Sequence, residues 1–150
     1  MAAGLKMENI NYQNVVQALL DAIPEIKSKY EEKRKQWAAT SKKDDFHTVP
    51  TIVYEGVFVP YVKFLFDSGA EAELKKVFIF LERLSSDFNE RLKNLVEVPV
   101  CEDLDDYLER ARQYMGPRTL QLSIEFENHM NEIAKNRGKT KDNNFPKDNK

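Results

Sequence analysis

Between residues 70 and 117 the chain alternates helical hydrophobic periodicity with short breaks. Before the break at Ser85-Ser86-Asp87 the apolar positions are Leu74, Val77, Phe78, Leu81 and Leu84, and after it they are Phe88, Leu92, Leu95 and Val96. Pro99 then precedes an acidic third segment, and Pro117 follows that segment. This spacing predicts amphipathic helices joined by tight turns. We therefore expect an all-α fold of stacked antiparallel helical hairpins.

The N-terminal part of the chain adds further helices to this pattern. One helix is predicted around Val15–Leu20, and a second from about Pro24 to Ala38, because proline is tolerated in a first turn. Residues 39–49 mix small, charged and turn-forming residues and predict a loop.

The segment Pro50–Phe66 carries two conflicting signals. Its Ile, Val, Tyr and Phe content favours a strand, whereas Pro60 argues against a central strand. The helical spacing of its large apolar residues decides for a helix that is kinked at Pro60 or begins there. Gly69 is expected to end this helix, because glycine readily adopts positive φ.

Three helices are expected after Gly69, before the last one. Residues 70–84 are apolar on almost every face, which is typical of a central helix covered by its neighbours. Residues 85–87 are expected to cap the next helix, with Glu90 as capping-box partner of Asp87. Pro99 should force a turn. An acidic helix should then run from about Glu102 to Tyr114.

The last helix should begin near Pro117 and end at Gly138. Its inward stripe is expected to consist of Leu122, Phe126, Met130 and Ile133. In total we expect six or seven helices in one short, helical-repeat-like domain covering residues 1–138. Residues 139–150 should form a polar, mobile tail.

Composition limits the class of protein. Hydrophobic residues make up 41% of the chain and charged residues 32%, as in a soluble globular domain. One cysteine allows no internal disulfide, which fits a reducing compartment. Residues 1–6 lack the apolar stretch of a signal peptide, and residues 51–66 are too short and broken to span a bilayer. We expect a cytoplasmic protein without membrane contact.

Charge is unevenly distributed along the chain. The formal net charge is −2, yet residues 97–109 contain six Asp or Glu and no Lys or Arg. Residues 27–43 contain seven Lys or Arg against two Glu. The basic run lacks the interleaved aromatic residues of a base-stacking surface, so direct binding of nucleic acid is not expected. The acidic run would attract a basic partner, or it is a solvated helix face.

Catalytic and metal-binding motifs are absent from the sequence. His47, His129 and Cys101 are isolated, so neither a metal nor another cofactor is predicted. The carboxylates after Cys101 should raise the pKa of its thiol, whereas a nearby helix N-terminus would lower it. A pair of carboxylates among residues 102–106 could perform acid–base chemistry, but stabilisation of a helix N-terminus explains them more simply. Phe58, Tyr61, Phe64 and Phe66 are better explained as core than as a ligand pocket.

Four short segments carry a resemblance to a known group of proteins. They are Phe80-Leu81-Glu82-Arg83-Leu84, Leu92-Lys93-Asn94-Leu95-Val96-Glu97-Val98, Cys101-Glu102-Asp103-Leu104 and Tyr114-Met115-Gly116-Pro117. Over roughly residues 12–125 the chain resembles a family of small all-helical bacterial proteins of uncharacterised function, some of which resemble antidotes encoded beside toxins. Met115 and the Pro99-Val100-Cys101 stretch depart from the family pattern.

The resemblance implies an immunity protein that binds one cognate toxin and blocks it stoichiometrically. Candidate partner-binding residues are the acidic side chains of the 97–109 run, which would meet a basic toxin surface, and one aromatic anchor: Glu102, Asp103, Asp105, Asp106, Glu109 and Tyr107. No catalytic residues carry over from the resemblance.

Two other classes of protein stay open from the sequence. The chain could be a small helical scaffold or adaptor, or an enzyme that uses a carboxylate or Cys101. Pairing of the acidic and basic patches would also permit a homodimer.

Overall fold

The structure is a computed structural model, which describes residues 10–86 and 89–148, without the side chains of residues 86, 98–100, 105 and 138–148. Its described part contains seven helices and no strand, so the predicted all-α fold is confirmed. Among the described residues, no helix combines the length and the apolar character needed to cross a membrane.

Helices α1 and α2 form the N-terminal part. Helix α1 spans Val15–Ala22, and α2 consists of the 3-10 turn Pro24–Ile26 followed by the α-helical Lys27–Ser41. The predicted loop after α2 is shorter than expected, because a second 3-10 turn occupies Phe46–Thr48.

Phe46 attaches this loop to α2. Its buried ring lies 5.5 Å from the ring of Tyr30 and 5.7 Å from that of Trp37, centroid to centroid. The indole Nε1 of Trp37 donates a hydrogen bond of 2.7 Å to the carboxylate of Asp45. Aromatic packing and one hydrogen bond thus hold a segment whose composition predicts only a loop.

Helix α3 confirms the helical interpretation of the ambiguous segment. It consists of α-helical Pro50–Val53, π-helical Tyr54–Phe58 and α-helical Val59–Ser68. Proline cannot donate a backbone hydrogen bond and crowds the preceding turn, so a wider turn ahead of Pro60 accommodates it without ending the helix. Gly69 has φ of 69° and ends α3, as the sequence predicts.

The residues that join α4 to α5 do not cap α5 in the way that the sequence predicts. Helix α4 spans Glu71–Ser86, and α5 consists of α-helical Glu90–Leu95 and π-helical Val96–Glu102. Ser85 does not cap α5. It lies buried inside α4, where its hydroxyl donates to the carbonyl of Leu81 at 2.9 Å. Ser86, the second predicted cap, is the last residue of α4, and Asp87, the third, lies outside the described residues.

The cap of α5 is Asn89. Its side-chain oxygen accepts hydrogen bonds from the backbone N–H groups of Arg91 at 2.9 Å and Leu92 at 3.4 Å. Both donors belong to the first turn, whose N–H groups have no acceptors within the helix. The predicted capping box is therefore wrong, because Glu90 is the first residue of the helix and not its third. Asn89 caps the helix instead.

Pro99 does not force a turn. The backbone continues through it as the π-helical Val96–Glu102, so the predicted break is wrong. The reason is the same as at Pro60: a π-helical pattern tolerates a residue that has no N–H to donate. The π-helical segments of α3 and α5 contact each other.

The acidic segment is less regular than the single helix expected from about Glu102 to Tyr114. Helix α6 consists of the 3-10 turn Asp105–Tyr107, the α-helical Leu108–Ala111 and the 3-10 turn Arg112–Tyr114. Helix α7 spans Pro117–Asp148, so the predicted end at Gly138 is wrong. The mobility of residues 139–150 stays a prediction.

The core lies between α4 and the helices around it. Helix α4 contacts α3, α5 and α7, which confirms its central position. Its apolar side chains are nonetheless not covered on every side, since Ile79 is 66% exposed. One face of the central helix therefore reaches solvent. Among the side chains that the structure describes, twenty-nine buried residues between Ile10 and Ala111 form one hydrophobic cluster.

Candidate functional site

The segment from Glu102, at the end of α5, to Glu109 of α6 holds most of its acidic residues outward because its apolar residues are buried. Leu104, Leu108 and Ala111 recur at helical spacing and are buried in the core or at its edge. Glu102, Asp106 and Glu109 are exposed, and Asp103 is half-buried, whereas the side chain of Asp105 lies outside the described residues. The surrounding hydrophobic positions thus present the predicted acidic residues to solvent on a short, well-anchored segment.

Tyr107 attaches α6 to α3. Its ring stacks on Phe66 at a centroid distance of 5.3 Å, and its hydroxyl donates to the carboxylate of Asp67 at 2.9 Å. The hydrogen bond to Asp67, followed by burial, raises the pKa of Tyr107. The Arg110 guanidinium lies 5.1 Å from the centre of the same ring. These internal contacts support the segment, and because Tyr107 is half-buried, its role as an aromatic anchor for a partner stays a prediction.

An open cleft of about 290 Å³ separates α6 from α7. Three apolar and three polar side chains line it: Leu108, Phe126 and Met130, and Glu102, Glu127 and Asn131. Of the predicted site residues, Glu102 therefore lies in the cleft. Asp106 and Glu109 are exposed and do not line it.

The contribution of α7 to the cleft is missing from the sequence prediction. Phe126, Met130 and Ile133 were expected to face inward, but Met130 is 40% exposed and the other two are half-buried. Only the start of the stripe, at Leu122, packs against the core. The sequence pattern that could have indicated this wall of the cleft is two pairs spaced by four residues on the helix, Phe126–Met130 and Glu127–Asn131. Spacing alone does not distinguish a buried stripe from a cleft wall.

Arg112 partly compensates the negative charge of the cleft. Its Nη2 donates to Glu127 Oε1 at 2.8 Å. Its Nε is buried and has no hydrogen-bond partner. With Glu102 and Glu127 each at −1 and Arg112 at +1, these three side chains leave the cleft with a net charge of −1.

Cys101 lies at the end of α5 and is fully buried. Burial, and to a smaller extent the nearby Glu97, raises the pKa of its thiol to about 12, while Arg112 acts in the opposite direction. The predicted rise of the pKa is confirmed, but its main cause is burial, and the carboxylate involved is Glu97 and not one of those after Cys101. A buried thiol that stays protonated is a poor nucleophile, so the cysteine-dependent enzyme loses its main support.

The other candidate chemistries gain no geometric support among the described residues. No group of three or more His, Cys, Asp or Glu side chains there could hold a metal ion. His47 and His129 are both exposed. Phe58 packs against Tyr54 within the core, with ring centroids 5.5 Å apart, whereas Phe64 is 62% exposed. The aromatic residues of α3 therefore divide between core and solvent.

The basic run of residues 27–43 lies mainly on α2. Two of its cations form ion pairs with carboxylates: Lys29 with Glu32 at 3.1 Å, and Arg34 with Glu31 at 2.8 Å. Arg34 also pairs with Asp44 at 2.7 Å. These neighbours favour the interpretation of the run as a solvated face.

Two of the segments that carry the family resemblance meet at the N-terminus of α7. Glu82 accepts hydrogen bonds from the backbone N–H of Arg118 at 3.0 Å and from the N–H and hydroxyl of Thr119, both at 2.9 Å. A Cβ at Gly116 would overlap the Glu82 carboxylate group. Glycine is therefore needed ahead of Pro117 so that the carboxylate can reach the helix end, where negative charge is favourable. This role of both segments is structural.

Comparison with known proteins identifies a family. No curated protein and no solved structure matches the chain. One family model, described as a domain of unknown function, matches residues 16–131, which include α1 without its first residue, α2 to α6 and the cleft-lining part of α7. The chain belongs to this family, DUF7674.

Proposed function

We propose that the protein is an immunity protein, an antidote that binds a cognate toxin and neutralises it by stoichiometric occlusion. The observation that carries the proposal is the exposed acidic residues Glu102, Asp106 and Glu109 beside a cleft with three apolar side chains in its wall. Apolar area surrounded by charge is typical of surfaces that bind other proteins. The resemblance of the chain to antidotes of toxin loci supports the choice of partner.

The acidic side chains would act mainly on the rate of capture. Glu102, Asp106 and Glu109 are exposed, so their attraction to a basic toxin is long-ranged and weakened by salt. Toxins that cleave nucleic acid carry such basic surfaces, because their substrate is a polyanion. Occlusion of that surface would need no catalytic group in the antidote.

The test is capture of a partner by two matched variants. Tagged wild-type protein is purified from its native cell beside a variant with Asp103, Asp106 and Glu109 changed to Lys. The control carries Asp21→Lys, Glu32→Lys and Glu55→Lys, which changes the net charge equally at exposed positions outside α6. We expect one stoichiometric basic partner with wild type and control, and at least a tenfold loss with the α6 variant, a fold-change of about 1.4 kcal/mol.

The captured partner decides between an antidote and a scaffold. An antidote requires that the partner be toxic when expressed alone and harmless when co-expressed with this protein. A partner without toxicity would support the scaffold interpretation. Equal capture by all three proteins would contradict the assignment to α6, and a self-dimer without another partner would contradict the antidote.

A further inference from the structure

We propose that the cleft between α6 and α7 binds a basic amphipathic helix, with an apolar side chain of that helix inserted between Leu108, Phe126 and Met130. This inference rests on the proposed function and identifies the part of a partner that it would recognise. Within the described part of the chain, the cleft is an apolar depression with carboxylates on its wall.

The size of the cleft favours side chains over a small molecule. Its volume of about 290 Å³ lies at the lower limit of ligand pockets, which span roughly 300–1,000 Å³. It is open to solvent, so a small molecule would keep much of its surface exposed. One or two large side chains presented by a second protein would fill it.

The apolar wall can adapt to such a side chain. Phe126 offers a flat ring, and Met130, 40% exposed, has an unbranched and polarisable side chain. Leu108 completes the wall from α6. Together they offer apolar surface from two helices to one inserted group, as in grooves that bind helices.

The negative charge of the cleft favours basic residues beside the apolar side chain that the partner inserts. Glu102 and Glu127 line it, and Arg112 compensates one of these two charges. A phosphate of nucleic acid or of an anionic lipid would meet net negative charge here. Lys or Arg beside the inserted apolar side chain would meet carboxylates, and would compete with Arg112 for Glu127.

The direction of the apolar side chains favours a helical occupant. Phe126, Met130 and Ile133 follow one another at spacings of four and three residues, so they form a stripe along α7. A helix lying along that stripe would place residues one turn apart against it. An extended strand would find no exposed sheet edge among the described residues, since none of them is in a strand.

The experiment uses two synthetic peptides and isotope-labelled full-length protein. Both peptides are short amphipathic helices with Leu at positions one turn apart, flanked by Lys in one and by Glu in the other. Binding is followed by NMR shifts of the methyl groups of Leu108 and Met130, with Ile79, which is exposed but does not line the cleft, as reference. We expect shifts at Leu108 and Met130 with the Lys peptide alone, weakening as salt is raised.

Three variants test the charge of the cleft. Glu102→Gln brings the net charge of Glu102, Glu127 and Arg112 from −1 to 0, and Arg112→Gln brings it to −2. We expect affinity for the Lys peptide to fall roughly two- to fivefold in the first and to rise by a similar factor in the second, as for other exposed charge pairs. Glu32→Gln on α2 is the matched control and should leave the affinity unchanged.

Several outcomes would overturn the proposal. These are no shift with the Lys peptide, equal binding of the Glu peptide, shifts centred on Ile79, or an unchanged affinity in both Glu102→Gln and Arg112→Gln. Met130→Gln, at an exposed site that should not affect folding, is expected to weaken binding of the Lys peptide, and unchanged binding would also overturn the proposal. If the native partner is captured normally by Met130→Gln and Glu102→Gln but lost on reversal of Asp103, Asp106 and Glu109, the antidote proposal stands and the cleft proposal fails.

Discussion

Glu82 shows how much of this structure depends on a single side chain. Its carboxylate accepts three hydrogen bonds from the first turn of α7, and the hydroxyl of Thr119 lies 3.2 Å from that of Ser85. Thr119 and Ser85 are both buried. Buried polar groups destabilise a fold unless they are hydrogen-bonded. This small network therefore fixes the position at which the N-terminus of α7 packs against α4.

Gly116→Ala should destabilise the protein by about 0.5–2 kcal/mol, the usual cost of losing a helix cap. The new methyl group would displace the Glu82 carboxylate from the first turn of α7. The measurement is the free energy of unfolding from denaturant titration. Gly56→Ala is the matched control, because no atom lies within 4 Å of its added Cβ; it should be neutral or stabilise by up to about 1 kcal/mol.

A double-mutant cycle identifies the cause of that loss. If the methyl group acts through Glu82, the cost of Gly116→Ala should nearly vanish in a Glu82→Ala background, because the displaced group is then absent. An unchanged cost in that background would mean that Gly116 matters for another reason.

For single residues, the sequence predicted the direction of a chemical effect better than the residues that cause it. The pKa of Cys101 rises as predicted, but the carboxylate that contributes is Glu97 and not one of those after Cys101, and burial, the larger cause, depends on residues distant in sequence. Glu82 carried no signal beyond its place in a short motif. Its partners lie 36 and 37 positions further along the chain, which no local pattern specifies.

The helices show where local sequence patterns suffice and where they do not. The all-α fold follows from hydrophobic periodicity, and the end of α3 follows from Gly69. Pro60 lies in the first turn of the α-helical Val59–Ser68, in agreement with a helical part that begins there. Pro99 was expected to force a turn, yet it lies inside the π-helical Val96–Glu102. This segment contacts the π-helical part of α3, a contact that local sequence does not reveal.

Asn89→Ala should destabilise the protein by about 1 kcal/mol, because two N–H groups in the first turn of α5 would lose their acceptor. Asn94→Ala is the matched control, as it makes the same change at an exposed position inside α5. It should be neutral or slightly stabilising, since Ala has the higher helix propensity. Thermal and denaturant unfolding followed by circular dichroism measures both.

Asn89→Asp should retain most of the stability, because a carboxylate accepts the same hydrogen bonds and suits a helix N-terminus. Equal losses in Asn89→Ala and Asn94→Ala would show that the cap does not stabilise α5.

The whole molecule is organised around one core that joins helices distant in sequence. Ile10 and Ala111 belong to the same buried cluster, and Cys101 lies fully buried. Such a core predicts cooperative unfolding. The candidate site lies beside this core, where α6 and the exposed part of α7 diverge. Its acidic half was predictable from composition, whereas the cleft was not, because it requires the relative placement of two helices.

Cys101 should react with a thiol reagent only when the molecule unfolds. Its thiol is buried and has a pKa of about 12, so almost no native thiolate is present near neutral pH. Since the chain has one cysteine, labelling reports this site alone. We expect the labelling rate to rise with denaturant in parallel with the loss of helical circular dichroism. Rapid labelling without that loss would instead indicate local opening of the π-helical Val96–Glu102.

The same thiol predicts a pH dependence of stability. Because its folded pKa lies above that of the unfolded chain, ordinarily about 8.5, the contribution is fully present below pH 8.5 and decreases as pH rises toward 12. Cys101→Ala should weaken this alkaline loss of stability, although Tyr54, whose pKa burial also raises, will retain part of it.

The packing of Trp37 against Phe46 has a consequence for optical work on this protein. The chain has one tryptophan, and it lies between α2 and the following loop, with its indole N–H bonded to Asp45. Selectively excited tryptophan fluorescence therefore reports the packing of that loop on α2, whereas tyrosine emission includes Tyr107 and Tyr114 of α6. Neither Trp37 nor Phe46 lines the cleft, so a partner bound there should leave the tryptophan spectrum nearly unchanged unless it brings a tryptophan of its own.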